Sequence, residues 1–199
     1  MYVSNSVSLH MMNNTFYNNT APKGGGVLVE ASILGARPVI SILDSTFEEN
    51  KAWQEESFNT SASLEGEGGA IATVLRSAVL NIFYVELIGC VFRNNTALRD
   101  GGAVAGTMMQ QTTDSGNWFR TEIRDCLFVN NLAFFQGGGL YIDSVIQTVL
   151  NDNSFIGNTA LGDGGLLWHR FQHLPELFPF VASSIHTVIA SYHIPSLAI

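Results

Sequence analysis

Short apolar segments, separated by polar and glycine-rich residues, recur along most of this chain. Two of them, Val39–Leu43 and 79–88, are rich in Val, Ile, Leu and Phe. Short runs of this kind bounded by turn residues are typical of β-strands, whereas a helix would need a longer run with a period near 3.6. The pattern predicts an all-β chain.

The apolar and polar positions recur in one fixed register, five times over. Each unit begins with a phenylalanine: Phe16, Phe47, Phe92, Phe128 and Phe155. An asparagine stands three residues later in every unit: Asn19, Asn50, Asn95, Asn131 and Asn158. An alanine stands five residues later: Ala21, Ala52, Ala97, Ala133 and Ala160. A register kept this strictly indicates a structural repeat.

A pair of glycines follows nine and ten residues after the phenylalanine in four units, and in the second unit 12 extra residues displace it. The pairs are Gly25 and Gly26, Gly68 and Gly69, Gly101 and Gly102, Gly137 and Gly138, and Gly164 and Gly165. Successive phenylalanines are 31, 45, 36 and 27 residues apart. Insertions between copies of a fixed motif belong in loops, so the shortest spacing approximates one bare unit.

Stacking of equivalent strands explains the repeat. In a parallel β-helix, successive coils lie about 4.8 Å apart and in register, so equivalent side chains form columns. We expect a right-handed parallel β-helix of about five coils, with the phenylalanines stacked inside and the alanines at a tight corner. We expect the asparagines to adopt a left-handed backbone at a corner and to bond one another from coil to coil. The glycine pairs would form a second bend, where a Cβ would clash.

The unit resembles a known repeat. Phe92 to Asn95 with Gly101-Gly102-Ala103-Val104, and Phe47 to Asn50 with Gly68-Gly69-Ala70-Ile71, are similar to the Phe-x-x-Asn and Gly-Gly-Ala-Ile repeats of the polymorphic outer membrane proteins of chlamydiae. More broadly, the chain resembles the pectin-lyase-like superfamily of right-handed β-helices. The resemblance implies a β-helix and a place at the cell surface.

Composition narrows the function classes. The 199 residues carry a formal net charge of −8, and the nine basic residues are scattered, which argues against nucleic acid as a partner. No signal peptide and no run of about 18 apolar residues is visible, so we expect contact with a membrane only through other parts of a parent protein. The two cysteines form neither a disulfide framework nor a zinc site, and we predict no metal and no cofactor.

Three groups of residues could carry chemistry. Cys90 and Cys126 hold the same position, two residues before the phenylalanine, in adjacent units; a disulfide is the alternative, and stacked thiols are favoured. Asp100 and Asp163 both precede a glycine pair and could bind calcium, but we expect solvated acids of turns.

The third group is the strand in which Arg120 and Arg124 flank Glu122. A polysaccharide lyase would need such arginines, yet a surface strand with ion pairs is the commoner case.

The last part of the chain differs from the repeats, because it has no further glycine after Gly165. We divide the chain into repeats at 1–167 and a non-repeat tail at 168–199. The apolar positions Phe180, Val181, Ile185, Val188, Ile189 and Tyr192 fit a helical face, so one prediction is a helix that caps the last coil. The alternative is a disordered tail.

The sequence therefore favours a non-enzymatic extracellular or cell-surface β-helix segment, structural or adhesive, from a larger protein. The segments from Trp53 to Gly66 and from Thr107 to Trp118 are the expected contact sites, with carbohydrate or another surface protein as partner. The alternatives are a polysaccharide-active lyase or hydrolase, its inactive remnant, and a fragment without activity of its own.

Overall fold

The structure is a computed structural model, and it describes residues 1–4, 8–31, 39–53, 66–75, 82–108, 118–142, 146–162, 164–165, 167–169, 181–182 and 185–188. Within these residues the chain is all-β, and its strands form four sheets in which every pairing is parallel. This confirms the predicted parallel β-helix solenoid. The hand of the helix and the domain division at residue 167 stay predictions.

The four sheets run along the stack of coils. Sheet A contains β1 (Tyr2–Ser4), β5 (Val27–Ala31), β9 (Ile71–Leu75), β13 (Val104–Met108), β17 (Leu140–Ile142) and β21 (Leu167–His169). Sheet B contains β2 (Leu9–Met12), β6 (Val39–Leu43), β10 (Ile82–Ile88), β14 (Trp118–Arg124), β18 (Ile146–Asn151) and β22 (Val181–Ala182).

The other two sheets are built from shorter strands. Sheet C contains β3 (Thr15–Tyr17), β7 (Thr46–Glu48), β11 (Val91–Arg93), β15 (Leu127–Val129), β19 (Asn153–Ile156) and β23 (Ile185–Val188). Sheet D contains β4 (Thr20–Ala21), β8 (Lys51–Ala52), β12 (Thr96–Ala97), β16 (Leu132–Ala133) and β20 (Thr159–Ala160). From β2 to β21 the chain passes through sheets B, C, D and A in that order five times, which makes five coils.

The core of the prism is a set of columns, each with one side chain per coil. The five phenylalanines pair in register, and neighbouring rings stack with centroids 4.5–5.1 Å apart. Phe47, Phe92, Phe128 and Phe155 are almost completely buried. The five alanines also pair in register, in sheet D, where the short strands turn toward sheet A. Equivalent side chains therefore lie directly over one another, as the repeat requires.

The corners on either side of sheet C depend on residues with a left-handed backbone, but these are not the asparagines that we expected. Positive φ angles occur three residues before each phenylalanine, at Asn13, Asp44, Gly89, Asp125 and Asp152. They also occur two residues after it, at Asn18, Glu49, Asn94, Asn130 and Gly157. The prediction was wrong by one residue, because the asparagine that follows turns its amide inward to bond neighbouring coils.

The glycine bend of the first coil also lies one residue earlier than predicted. The amide of Gly24 donates to the carbonyl of Glu67, and the amide of Gly68 donates to that of Asp100, so Gly24 and Gly68 are equivalent. Gly25 is in turn equivalent to Gly69. The run Gly24-Gly25-Gly26 allows either alignment in sequence, and the pairing of Val27 with Ile71 decides between them. Gly26 therefore holds the place that Ala70 and Ala103 hold in later coils.

The described part of the tail extends the solenoid instead of forming a helix. Val181 pairs with Val149, and Ile185 pairs with Asn153, so β22 and β23 continue sheets B and C beyond the fifth coil. The predicted helix is wrong for these residues, because their apolar positions fit the edge of a sheet equally well. Phe180, Ile189 and Tyr192 lie outside the described residues.

Candidate functional site

The polar interior of the solenoid is centred on the asparagine column. The side chain of Asn95 donates to the amide oxygen of Asn131 at 2.9 Å and to the carbonyl of Phe47 at 3.0 Å. Its own oxygen accepts the backbone N–H and the side-chain amide of Asn50 at 3.0 and 3.1 Å. The same bonds recur at Asn131, which is joined to Asn158 at 2.8 Å. Each inner asparagine thus bonds the coil before it and the coil after it, which fixes the register.

A second inward column contains the two cysteines. Both thiols are buried and free, and the backbone N–H of Cys90 donates to Sγ of Cys126 at 3.4 Å. The backbone N–H of Cys126 donates to the side-chain oxygen of Asn153 at 3.0 Å, and that of Asn14 to the hydroxyl of Ser45 at 3.1 Å. The thiols therefore act as hydrogen-bonding members of a column, and burial raises the pKa of Cys126 well above the ordinary thiol value.

The corner between sheets D and A holds a buried ionic cluster. Lys23, Glu67 and Asp100 each directly precede a glycine pair and therefore follow one another from coil to coil. Nζ of Lys23 lies 3.6 Å from Glu67, and Nε of Arg99 lies 3.2 Å from Asp100. Arg99 also reaches Glu67 at 3.9 Å. The backbone N–H of Gln136 donates to Asp100 at 3.2 Å.

Burial changes the protonation of this cluster. It raises the pKa of Asp100 to about 6, although Arg99 opposes the shift. Burial also raises the pKa of Glu67, against the attraction of Lys23 and Arg99. The prediction of a solvated turn acid was wrong for Asp100, which is 3% exposed, because the glycine bend turns it under the neighbouring coils.

Sequence reasoning missed one member of this cluster, Glu67. The 12-residue insertion hides the register of Glu67, although its position directly before Gly68 was a usable signal. Asp163, the other candidate calcium ligand, lies outside the described residues. Among the residues that the structure describes, no three of His, Cys, Asp or Glu come together as a metal-binding group.

The outer face of sheet B carries the predicted arginine–glutamate group. The hydroxyl of Tyr84 donates to Oε2 of Glu122 at 2.6 Å, and Arg120 lies 3.4 Å from the same oxygen. Arg124 pairs with Oε1. The two arginines are about half exposed, whereas Glu122 is 3% exposed beneath them. Every oxygen of this carboxylate is engaged, so the group stabilises a surface strand more readily than it donates or accepts a proton.

The connections that vary in length join mainly sheet A to sheet B. The connections from sheet A to sheet B span 5–8, 32–38, 76–81, 109–117, 143–145 and 170–180. The large insertion, 54–65, instead joins sheets D and A. The predicted contact segments fall almost entirely on 54–65 and 109–117, which lie outside the described residues. No helix long and apolar enough to span a membrane occurs in the part of the chain that the structure describes.

Two stretches of the chain match a known family model. Residues 44–74 and 89–107 match the Chlamydia polymorphic membrane protein repeat. These two stretches carry this repeat. Each match begins at a left-handed residue before the phenylalanine and ends in a strand of sheet A, so it covers sheets C, D and A of the second and third coils. The predicted resemblance to the repeats of polymorphic membrane proteins is confirmed for these two stretches, and the broader resemblance to pectin-lyase-like proteins stays a prediction.

The coils outside the two matched stretches have the same architecture as the matched coils. The other three coils place the same phenylalanine, asparagine and alanine columns in register with the two matched coils. Because the family is one of membrane proteins, the repeat points to part of a surface protein. Searches of curated proteins and of solved structures found no match for the chain.

Proposed function

We propose that this chain is a non-enzymatic segment of a surface protein, in which the β-helix is a rigid support for contact loops. The observation that carries the proposal is that the three main polar groups of the described coils bond within the scaffold. The asparagine column bonds itself, the Glu67 and Asp100 carboxylates are buried with Lys23 and Arg99, and Glu122 is covered. These groups stabilise the stack and leave recognition to the connecting segments.

The insertion 54–65 and the connection 109–117 are the proposed contact segments, and carbohydrate or another surface protein is the proposed partner. Insertions of different length leave the ladders of the flanking strands intact, as the unbroken register of sheets A and B shows. A support of this kind keeps its geometry while the loops on it change, which suits an adhesive surface. The proposed location is extracellular or on the outer cell surface.

Loop deletion tests the proposal. A variant in which 54–65 is removed should keep its far-UV circular dichroism and its cooperative unfolding, because four coils close the same corner without an insertion. Binding to a glycan array and to intact cultured cells should fall to background in this variant or in one that lacks 109–117. Binding that survives both deletions would refute the assignment of the contact segments.

The alternative, an enzyme that degrades polysaccharide, rests on the exposed Arg120 and Arg124 on the outer face of sheet B. Turnover of pectin or alginate by the intact chain, lost on Arg120→Ala or Arg124→Ala, would overturn the non-enzymatic proposal. The matched control is Arg93→Ala, because Arg93 is an exposed arginine on sheet C that pairs with Glu48. Turnover that Arg93→Ala also abolished would indicate a stability effect.

A further inference from the structure

One tripeptide in the third coil has a pattern that the fold explains only in part. In Asn94-Asn95-Thr96 an asparagine stands two residues before a threonine, which is the acceptor pattern for N-linked glycosylation. The fold accounts for the middle residue, because Asn95 is a buried member of the asparagine column. The outer two residues are not fixed in this way. Glu49 holds the place of Asn94 in the second coil, and Leu132 holds the place of Thr96 in the fourth.

The outer two residues of the tripeptide lie on the outside of the solenoid. Asn94 is exposed at the left-handed corner between β11 and β12, where its φ is 54°. Thr96 is half-buried and directly precedes the completely buried Ala97. Because side chains alternate along a strand, the inward Ala97 turns Thr96 outward. The amide of Asn94 and the hydroxyl of Thr96 therefore lie on the solvent side, with the buried Asn95 between them.

The amide of Asn94 is available for reaction. Within the described part of the chain its side chain makes no hydrogen bond, whereas the side chain of Asn95 takes part in four. Asn94 belongs to the third of five coils, and it is exposed although a coil lies on either side of it. Its neighbours in the corner column are Glu49 and Asn130, which are both polar. The exposure of Asn94 is therefore a property of the corner itself.

We propose that Asn94 is a site of N-linked glycosylation. In the transfer, Nδ2 of Asn94 attacks C1 of the sugar that joins an oligosaccharide to a lipid diphosphate. A C–N bond forms, the bond from C1 to the diphosphate oxygen breaks, the lipid diphosphate leaves with the electron pair, and Nδ2 gives up one proton to a base. The proposal rests on the extracellular location proposed above, because this modification is made on secreted and surface chains.

The place of Asn94 in the coil suits the proposed contact segments. Each coil passes through sheets B, C, D and A in that order, so one sheet on either side separates the C–D corner from the junction of sheets A and B. A bulky, hydrated glycan on Asn94 covers the corner between β11 and β12. It is attached away from the ends of β13 and β14, which border the connection 109–117.

Glycan counting in microsomes tests the site. The full chain, preceded by a cleavable secretion signal, is translated with microsomes that supply the transferase and the lipid-linked oligosaccharide. Asn94→Gln and Thr96→Val should each carry one glycan fewer than the parent chain, whereas Thr96→Ser should keep it, because serine retains the hydroxyl. Asn94→Gln should still fold, because Glu49 adopts the equivalent left-handed backbone in the second coil.

The fourth coil supplies a matched control. Asn130 is exposed at the same corner with a φ of 52°, but Leu132 stands two residues after it, where Thr96 follows Asn94. The parent chain should carry no glycan on Asn130, and Leu132→Thr should gain one there. Enzymatic release of an N-linked glycan converts the asparagine to aspartate, so peptide mass spectrometry identifies each occupied position.

The outcome that refutes the site is specific to Asn94. The acceptor pattern also occurs at Asn13, Asn18 and Asn59, so each variant is compared with the parent chain in the number of its glycans. A glycan count that Asn94→Gln leaves unchanged, in a reaction that glycosylates a control glycoprotein, overturns the proposal. Because the signal delivers the chain to the microsomal lumen, this result would count against the corner and not against the proposed location. Loss of binding by the contact segments would leave the count unchanged.

Discussion

Replacing Asn95 by leucine tests whether the asparagine column holds the coils together. Leucine has nearly the shape of asparagine, so the substitution removes hydrogen bonds with little change of volume. Asn95 is completely buried, and its side chain takes part in four hydrogen bonds of 2.9–3.1 Å, to Asn50, Phe47 and Asn131. Its backbone N–H also donates to Asn131, and this bond survives the substitution.

The cost follows from the groups that the substitution leaves behind. The buried backbone N–H of Asn50 loses its acceptor, and the carbonyl of Phe47 loses a donor. A buried polar group without its partner costs about 1–3 kcal/mol, whereas the added apolar surface returns about 1 kcal/mol. We expect Asn95→Leu to lower the free energy of unfolding by about 3 kcal/mol, which is a large share of the stability of an ordinary domain.

Urea denaturation followed by far-UV circular dichroism measures this change. Asn19→Leu is the matched control, because Asn19 is the exposed first member of the column and makes one side-chain bond, to Asn50 at 2.9 Å. We expect the control to lose less than about 1 kcal/mol. If Asn95→Leu were no more destabilising than Asn19→Leu, the hydrogen bonds of the asparagine column would not be what holds neighbouring coils in register.

Three further predictions concern the columns and the buried acid. Phe92→Ala should lower the free energy of unfolding by about 4 kcal/mol in a urea titration, and Phe16→Ala, half-buried at the end of the stack, by less than half of that. Gly102→Ala should lower the melting temperature sharply, because its Cβ would lie 2.1 Å from the carbonyl oxygen of Gly138 in the next coil. Gly26→Ala should lower it much less, because its Cβ would come no closer than 3.1 Å to its neighbours and these need to shift only slightly. Because burial raises the pKa of Asp100 to about 6, the folded state binds the proton more tightly than the unfolded state. Stability should therefore rise as the pH falls from about 7 to about 4, and unfolding of Asp100→Asn should show a flatter dependence.

The fold could be predicted because the residues of each column recur at fixed positions in the sequence. A residue type that recurs at a fixed distance from each phenylalanine needs no tertiary information to be placed in a column. The left-handed corner residues were harder, because Glu49 holds a position that asparagine or glycine holds in other coils. Because this corner accepts several residue types, no single residue type marks it in the sequence. The left-handed backbone was therefore assigned to the neighbouring asparagine, which recurs in all five units.

The burial of the ionic cluster could not be predicted from the sequence, for a different reason. Asp100, Glu67 and Lys23 share a place before a glycine pair, but nothing in their identity shows that the glycine bend buries them. An acid next to glycine in sequence ordinarily indicates a solvated turn. Here the bend is covered by the next coil, so burial depends on stacking, which is a property of several coils at once.

The two kinds of corner explain why the chain tolerates insertions where it does. Around sheet C, left-handed residues stand three before and two after each phenylalanine, and the asparagine bonds both neighbouring coils. One added residue there would turn inward side chains outward in every following position. The connections from sheet A to sheet B lie outside the asparagine column in sequence, and their length varies from 143–145 to 170–180. Selection for new contacts can therefore change these connections freely, while the asparagine column keeps the strands on both sides in register.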